Sequence, residues 1–122
     1  MFDDHAPIYR QIADHIKADV ASGVLAPDAQ VMSTNQYARF YSINPATAAK
    51  AFAQLVDEGV LYKRRGVGMF VAPSAKDMLL GDRRARFFSD VLDPAIDEAR
   101  KIGIPLEDLV RHISALPDKD RT

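Results

Sequence analysis

Apolar residues recur at every fourth position near the start of the chain, at Ile8, Ile12, Ile16 and Val20. That spacing lays a single stripe along a helix. The predicted helix runs from about Pro7 to Ser22, since proline is tolerated in a first turn and Gly23 suits the C-terminal cap. From Val24 to Gln30 the period is lost, and Pro27-Asp28 marks a turn within a loop. Ser33 stands where an N-cap belongs, before a short helix over about Thr34 to Tyr41 with Tyr37, Ala38 and Tyr41 on one face. A break follows. Asn44 then caps a third helix, Pro45 takes its first position, and Gly59 ends it after about Glu58. Its buried side is Ala48, Ala51, Phe52, Leu55 and Val56, and its other side carries Thr47, Lys50 and Gln54.

The pattern next shortens to two strand-like runs, Val60 to Lys63 and Met69 to Ala72, around Arg64-Arg65-Gly66-Val67-Gly68. This predicts a β-hairpin with a basic, glycine-bearing tip. After the joint Pro73-Ser74 a long helical pattern begins near Ala75. Met78, Gly81, Ala85, Phe88, Leu92, Ala95, Ala99 and Ile102 are spaced alternately three and four apart, the seam of a heptad repeat. About 27 residues at ~1.5 Å each span ~40 Å, longer than a domain of this size needs, so the seam is expected to join two subunits. Asp93-Pro94 interrupts it, predicting a kink or a second helix capped by Asp93. Gly103 ends the pattern, and Pro105 opens a last helix with Leu106, Leu109, Val110 and Ile113 on one side. The charged tail from Pro117 is expected to fray.

Composition narrows the function. The 122 residues suit one domain by length, and the pattern along the chain divides it into a body at 1–73 and a helical extension at 74–122. Sixteen basic and seventeen acidic side chains give a net charge of −1, which excludes a uniformly basic coat, so any hold on phosphate must be local. Residues 1–72 carry seven basic and seven acidic side chains, but within 31–72 the balance is five (Arg39, Lys50, Lys63, Arg64, Arg65) to two (Asp57, Glu58). There is no cysteine, and the three histidines are far apart. Thiol chemistry is thereby excluded, and neither a cofactor nor a metal is expected. No nucleophile–base spacing points to an enzyme. No apolar run reaches the ~20 residues of a membrane span, and the acidic start is unlike a signal peptide, so a cytoplasmic protein without membrane contact is expected. The aromatic residues Phe40, Tyr41, Phe52, Tyr62, Phe70, Phe87 and Phe88 are expected to form the core and the junction. Ligand sites often lie at such junctions, so an unidentified small-molecule effector is the alternative to the favoured reading of these residues as core.

The fold class is mainly α with a small β-hairpin: a winged helix-turn-helix domain followed by a short two-helix dimerisation extension. In that arrangement the helix after the turn enters the DNA major groove with its first residues at the base edges. Here those are Asn44, Ala46, Thr47 and Lys50. Asparagine suits adenine, threonine a base edge or thymine methyl, and lysine guanine or phosphate. Ser33, Thr34 and Asn35 open the preceding helix, where the N–H groups and the helix dipole attract phosphate. Arg64 and Arg65 carry charge to the wing tip, while Gly66 and Gly68 let it approach closely. Tyr9 is expected to pack rather than touch DNA. The expected dimerisation residues are Met78, Ala85, Phe88, Leu92, Ala95, Ala99 and Ile102. The rival readings are a winged-helix protein-interaction module and an architectural DNA-binding module without sequence preference.

Pro7-Ile8-Tyr9-Arg10-Gln11-Ile12, Ser22-Gly23, Asn44-Pro45-Ala46-Thr47, Leu55-Val56-Asp57-Glu58-Gly59 and Arg64-Arg65-Gly66-Val67-Gly68-Met69-Phe70-Val71 occur in continuous register. The ordered set resembles the DNA-binding domain of the GntR family of bacterial transcription regulators, and the short remainder resembles the YtrA-type subfamily. The resemblance implies a homodimeric repressor on a two-fold double-stranded DNA operator, often one that controls a transporter operon. Three departures stand out, one of them Lys50, which stands where arginine is commoner and cannot make arginine's planar two-pronged contact. Val31-Met32-Ser33 replaces the usual Leu-Pro-Ser, and Asn35 stands where the family usually has an arginine facing DNA.

Overall fold

The computed structural model describes residues 2–118. The chain divides into two compact units, Met1–Gly81 and Asp82–Thr122.

The first unit contains three helices and the hairpin. Helix α1 (Ile8–Ser22) follows Pro7, which sits one position earlier than expected, as the N-cap, and α1 ends on left-handed Gly23. It buries Ile12, Ala13, Ile16, Val20 and Ala21, the stripe that the four-residue spacing predicts. Helix α2 (Thr34–Tyr41) starts at Ser33 in a reciprocal capping box with Gln36 and stops where Ser42 turns left-handed. Helix α3 (Pro45–Asp57) is capped by Asn44, has Pro45 in its first turn, and buries Ala48, Ala51, Phe52 and Leu55. The three helices enclose a core completed by Tyr37, Val60, Leu61, Val71 and Ala75.

Strands β1 (Leu61–Arg64) and β2 (Gly68–Val71) pair antiparallel, with Leu61 opposite Val71 and Arg64 opposite Gly68. Each is displaced one residue toward the tip from the expected runs. The segment before α2, expected to be a loop, also joins the wing. Gln30 bridges Phe70, Val71 N donates to Ala29 O at 2.9 Å, and Val31 N donates to Met69 O at 2.9 Å.

Helix α4 (Ala75–Phe87) begins at the expected residue. Ala75 is fully buried in the first unit's core and Leu79 packs against it, which carries that unit past the expected joint at residue 73. The chain then stays helical through a π turn, Phe88–Leu92, into helix α5 (Asp93–Lys101). Asp93 has helical dihedrals and its N–H donates to Phe88 O, so it does not cap a separate helix. The wider turn accommodates Pro94, whose ring and missing N–H fit poorly in a continuous α ladder. One extra residue per turn also shifts the α register between Phe88 and Leu92, so the heptad seam does not continue unbroken. Helix α6 (Leu106–Ala115) follows, with Pro105 as its N-cap.

The aromatic expectation is corrected in part. Phe52 and Phe70 are buried and Tyr41 and Tyr62 half-buried, but Phe40, Phe87 and Phe88 are exposed. Tyr37 takes the central aromatic place, edge-on to Phe52 at 5.5 Å. No helix among the described residues is long and apolar enough to cross a membrane.

Candidate nucleic-acid interface

At the start of α2, Gln36 N donates to Ser33 Oγ at 3.1 Å and Ser33 N donates to Gln36 Oε1 at 2.9 Å. The remaining first-turn N–H groups, those of Thr34 and Asn35, have no partner within the helix and lie at its positive end. Asn35 is exposed and Thr34 half-buried. Asn35 also lines a shallow depression of about 220 Å³ with Ala38, Arg39, Ile43 and Pro45.

At the start of α3, Ala46 N donates to Asn44 Oδ1 at 2.8 Å. The side-chain oxygen of Asn44 therefore uses one of its two lone pairs in the cap, and its second lone pair and the amide nitrogen are the groups left for a ligand. A two-point pairing with adenine needs both atoms. Ala46 and Lys50 are exposed and Thr47 half-buried. Asn44 and Thr47 also line a second hollow, of about 410 Å³, with Phe2, Ile8, Tyr41, Ser42 and Ile43. Lys50 Nζ lies 4.1 Å from the centre of the Tyr9 ring. Tyr9 is half-buried against the core, as expected, but its partnership with Lys50 was not legible in the sequence.

At the wing, Val67 N donates to Arg64 O at 3.0 Å and closes a tight tip. Arg64 and Arg65 are exposed, and the Arg64 guanidinium lies 5.4 Å from the Phe70 ring. Gly66 and Gly68 both have positive φ, 76° and 147°. Gly68 has a local steric reason as well: a Cβ there would stand 2.6 Å from Gln30 Nε2. That amide donates to Val67 O at 3.1 Å and ties the tip to the segment before α2. Gln30 is thus a wing-shaping residue that no local pattern marks. At the base of the wing Tyr62 donates to Asp28 Oδ1 at 2.8 Å, and this bond raises the phenol's pKa by holding its proton.

The charge pattern is the most informative feature of the surface. None of the ion pairs among the described residues involves Arg39, Lys50, Lys63, Arg64 or Arg65. The pairs among the described residues draw on other cations. Lys17 on α1 donates to Glu58 at the end of α3 at 2.7 Å, and this contact holds the Glu58 carboxyl below the usual range. Asp3, in contact with His5, is likewise lowered, first by the His5 N–H. In the core, burial pushes the Tyr37 phenol up to about 12. No group of three or more residues suited to a metal occurs among the described residues.

The expected dimerisation residues are divided. Met78, Ala85, Phe88, Ala95 and Ile102 are exposed, Leu92 is half-buried, and Ala99 is already buried. Ile104 N donates to Ala99 O at 2.8 Å, so the α5–α6 connection wraps that residue. Further apolar side chains outside the seam are exposed: Val91, Leu106, Val110, Ile113 and Leu116.

Comparison with known proteins agrees with this geometry. Residues 8–71 match the family described as bacterial regulatory proteins, gntR family. The chain is 30% identical over 112 residues to the transcriptional repressor YtrA of Bacillus subtilis strain 168, covering 89% of this chain and 85% of that protein. It is 38% identical over 76 residues to the repressor NagR of the same strain, but spans only 31% of that longer protein. A transcriptional regulator from Oenococcus oeni superposes with a TM-score of 0.79 at 29% identity, over 93% of both chains. The DNA-binding domain of AraR, solved in complex with operator ORX1, superposes with a TM-score of 0.55 at 28% identity, over 59% of this chain and 93% of that one. A three-helix core carrying a wing, with basic side chains outside the described ion pairs at the recognition elements, belongs here to a member of the GntR family of DNA-binding transcription regulators.

Proposed function

We propose that the chain is a sequence-specific repressor that acts in the cytoplasm as a homodimer on a two-fold operator. The observation that carries this reading is the set of five basic residues within 31–72 that form no ion pair among the described residues, on a chain whose net charge is −1. Thr47 and Lys50, with the amide of Asn44, read base edges in the major groove. Ser33, Thr34 and Asn35 receive a phosphate at the α2 N-terminus. Arg64 and Arg65, on the tip shaped by Gly66 and Gly68, hold the backbone or minor groove. The exposed apolar side chains Phe88, Ile102, Val110 and Ile113 support a partner-binding role for the second unit. Pairing of two units sets the half-site spacing. An effector would act by changing that spacing.

Fluorescence anisotropy tests the reading with the full chain on its own upstream DNA and on a scrambled duplex, each at two salt concentrations. The expected result is tight, salt-sensitive binding to the upstream duplex and weak binding to the scrambled one. Equal affinity for both would leave an architectural DNA binder, and no salt-dependent binding at all would leave a protein-interaction module.

A further inference from the structure

Lysine is a poor reader of sequence when its long side chain is free, because a flexible point charge meets any nearby acceptor. Lys50 is exposed on α3, and none of the described ion pairs fixes it. Its ammonium nevertheless lies 4.1 Å from the centre of the Tyr9 ring, within the range of a cation–π contact. Tyr9 is itself held. It stands in the first turn of α1, half-buried against the core, and the α1 stripe that includes Ile12 and Ile16 is packed in that same core with Ala51 and Phe52 of α3. The ring is a fixed platform, and the ammonium keeps N–H donors for a further acceptor.

We propose that Tyr9 is a positioning residue for base reading: its ring holds the Lys50 ammonium in place before DNA arrives, so α1 contributes to sequence choice without touching a base. The inference rests on the reading of α3 as the base-reading helix. Ordering Lys50 in the free protein lowers the entropy lost when it bonds a base edge, and it disfavours the alternative of swinging to a phosphate. The contact would therefore sharpen discrimination more than it raises affinity for arbitrary DNA.

The test uses the full chain and a duplex enriched by it from a randomised pool, with a scrambled duplex as reference. The free protein is read first by NMR. Lys50 ε-methylene protons under a ring face shift upfield, and this shift should persist in Tyr9→Phe and vanish in Tyr9→Leu. The ratio of affinities for the enriched and scrambled duplexes is read next. Tyr9→Phe should retain it, Tyr9→Leu should lower it about fivefold, on the scale of an exposed-to-desolvated cation–π contact, and Tyr9→Leu should add nothing in a Lys50→Ala background. If Tyr9→Leu fails to fold in a thermal melt, Tyr9→Met offers similar bulk without a π face. No upfield shift in the wild-type chain overturns the proposal. A loss in Tyr9→Phe equal to that in Tyr9→Leu also overturns it, because the hydroxyl would then be the active group. If Lys50→Ala lowers the ratio while Tyr9→Leu does not, only the positioning role fails. If Lys50→Ala leaves the ratio unchanged, the base-reading assignment of Lys50 fails, and the positioning role with it.

Discussion

The two units of the chain solve the problem of burial differently. In the first, Ile12, Ala48, Ala51, Leu55 and Val60 are 0% exposed and Phe52 is 1% exposed, around a core drawn from three helices and the wing. Among the described residues of the second, only Ala99 is buried, while Phe88, Ile102, Val110, Ile113 and Leu116 are each more than half exposed. A unit that closes its own core can devote its polar surface to a ligand. A unit that leaves its apolar side chains in water gains its stability by covering them against another surface. The contrast matches a division of labour in which the first unit meets DNA and the second, in the proposed dimer, sets how two copies are spaced.

The largest expected effect tests the self-sufficiency of the first unit. Phe52→Ala should cost about 3–5 kcal/mol, the usual penalty for emptying an aromatic site in a packed core. Chemical denaturation followed by circular dichroism reads it, and a loss below 1 kcal/mol would mean that this core does not carry the fold. Ile113→Asp is the counterpart in the second unit. Its site is 58% exposed, so the chain should keep its helical spectrum, but sedimentation should show monomers in place of the dimer proposed for the wild type. An intact dimer would move the interface elsewhere. Gly68→Ala probes the wing. The substitution faces a φ of 147° and Gln30 Nε2 at 2.6 Å, so about 1–3 kcal/mol of strain is expected. Weaker DNA binding should accompany it with the core intact, and an unchanged melting temperature would contradict the strain.

The smallest effect concerns the link between α1 and the end of α3. Glu58 has its folded pKa depressed by the hydrogen bond from Lys17. A depressed carboxylate contributes stability that is complete above the unfolded pKa, near 4.5, and is lost as pH falls through the folded value. The pair is partly exposed, at 24% and 39%, so solvent screening limits its contribution to about 0.5 kcal/mol. Lys17→Met should therefore lower stability slightly at pH 7 and leave it unchanged at a pH where Glu58 is protonated in both states. Equal losses at both values would assign the effect to packing instead.

Much of the first unit is legible in the sequence because its signals are local. Ser33 and Asn44 cap the helices expected of them, Pro45 sits in a first turn, and the Ile8-Ile12-Ile16-Val20 spacing fixes the buried side of α1. What escapes reading depends on contacts distant in sequence. The polar run Asp28-Ala29-Gln30 has no strand alternation, yet it pairs with β2 through backbone groups that composition does not reveal. Aromatic character alone places Phe40 in the core, but its position on α2 leaves it exposed while Tyr37 turns inward. Pro94 does announce an interruption, but the chain absorbs it in a π turn, a choice set by helix geometry rather than by any residue preference. The wing glycines signal a tight tip, though only the structure shows that Gly68 also makes room for Gln30. The sequence names the residues of the candidate site one by one. Its couplings, Tyr9 with Lys50 and Gln30 with Val67, arise only when α1, α3 and the wing have folded together.

The central claim is that the start of α3 reads sequence while the wing supplies general affinity. It is tested most directly by comparing Lys50→Ala and Arg65→Ala for binding to the enriched and scrambled duplexes over a range of salt. Lys50→Ala should relax base preference, costing about 1–3 kcal/mol at the affected base pair, while Arg65→Ala should weaken binding to both duplexes alike and flatten the salt slope by about 1. Matching losses of specificity from the two substitutions would contradict it.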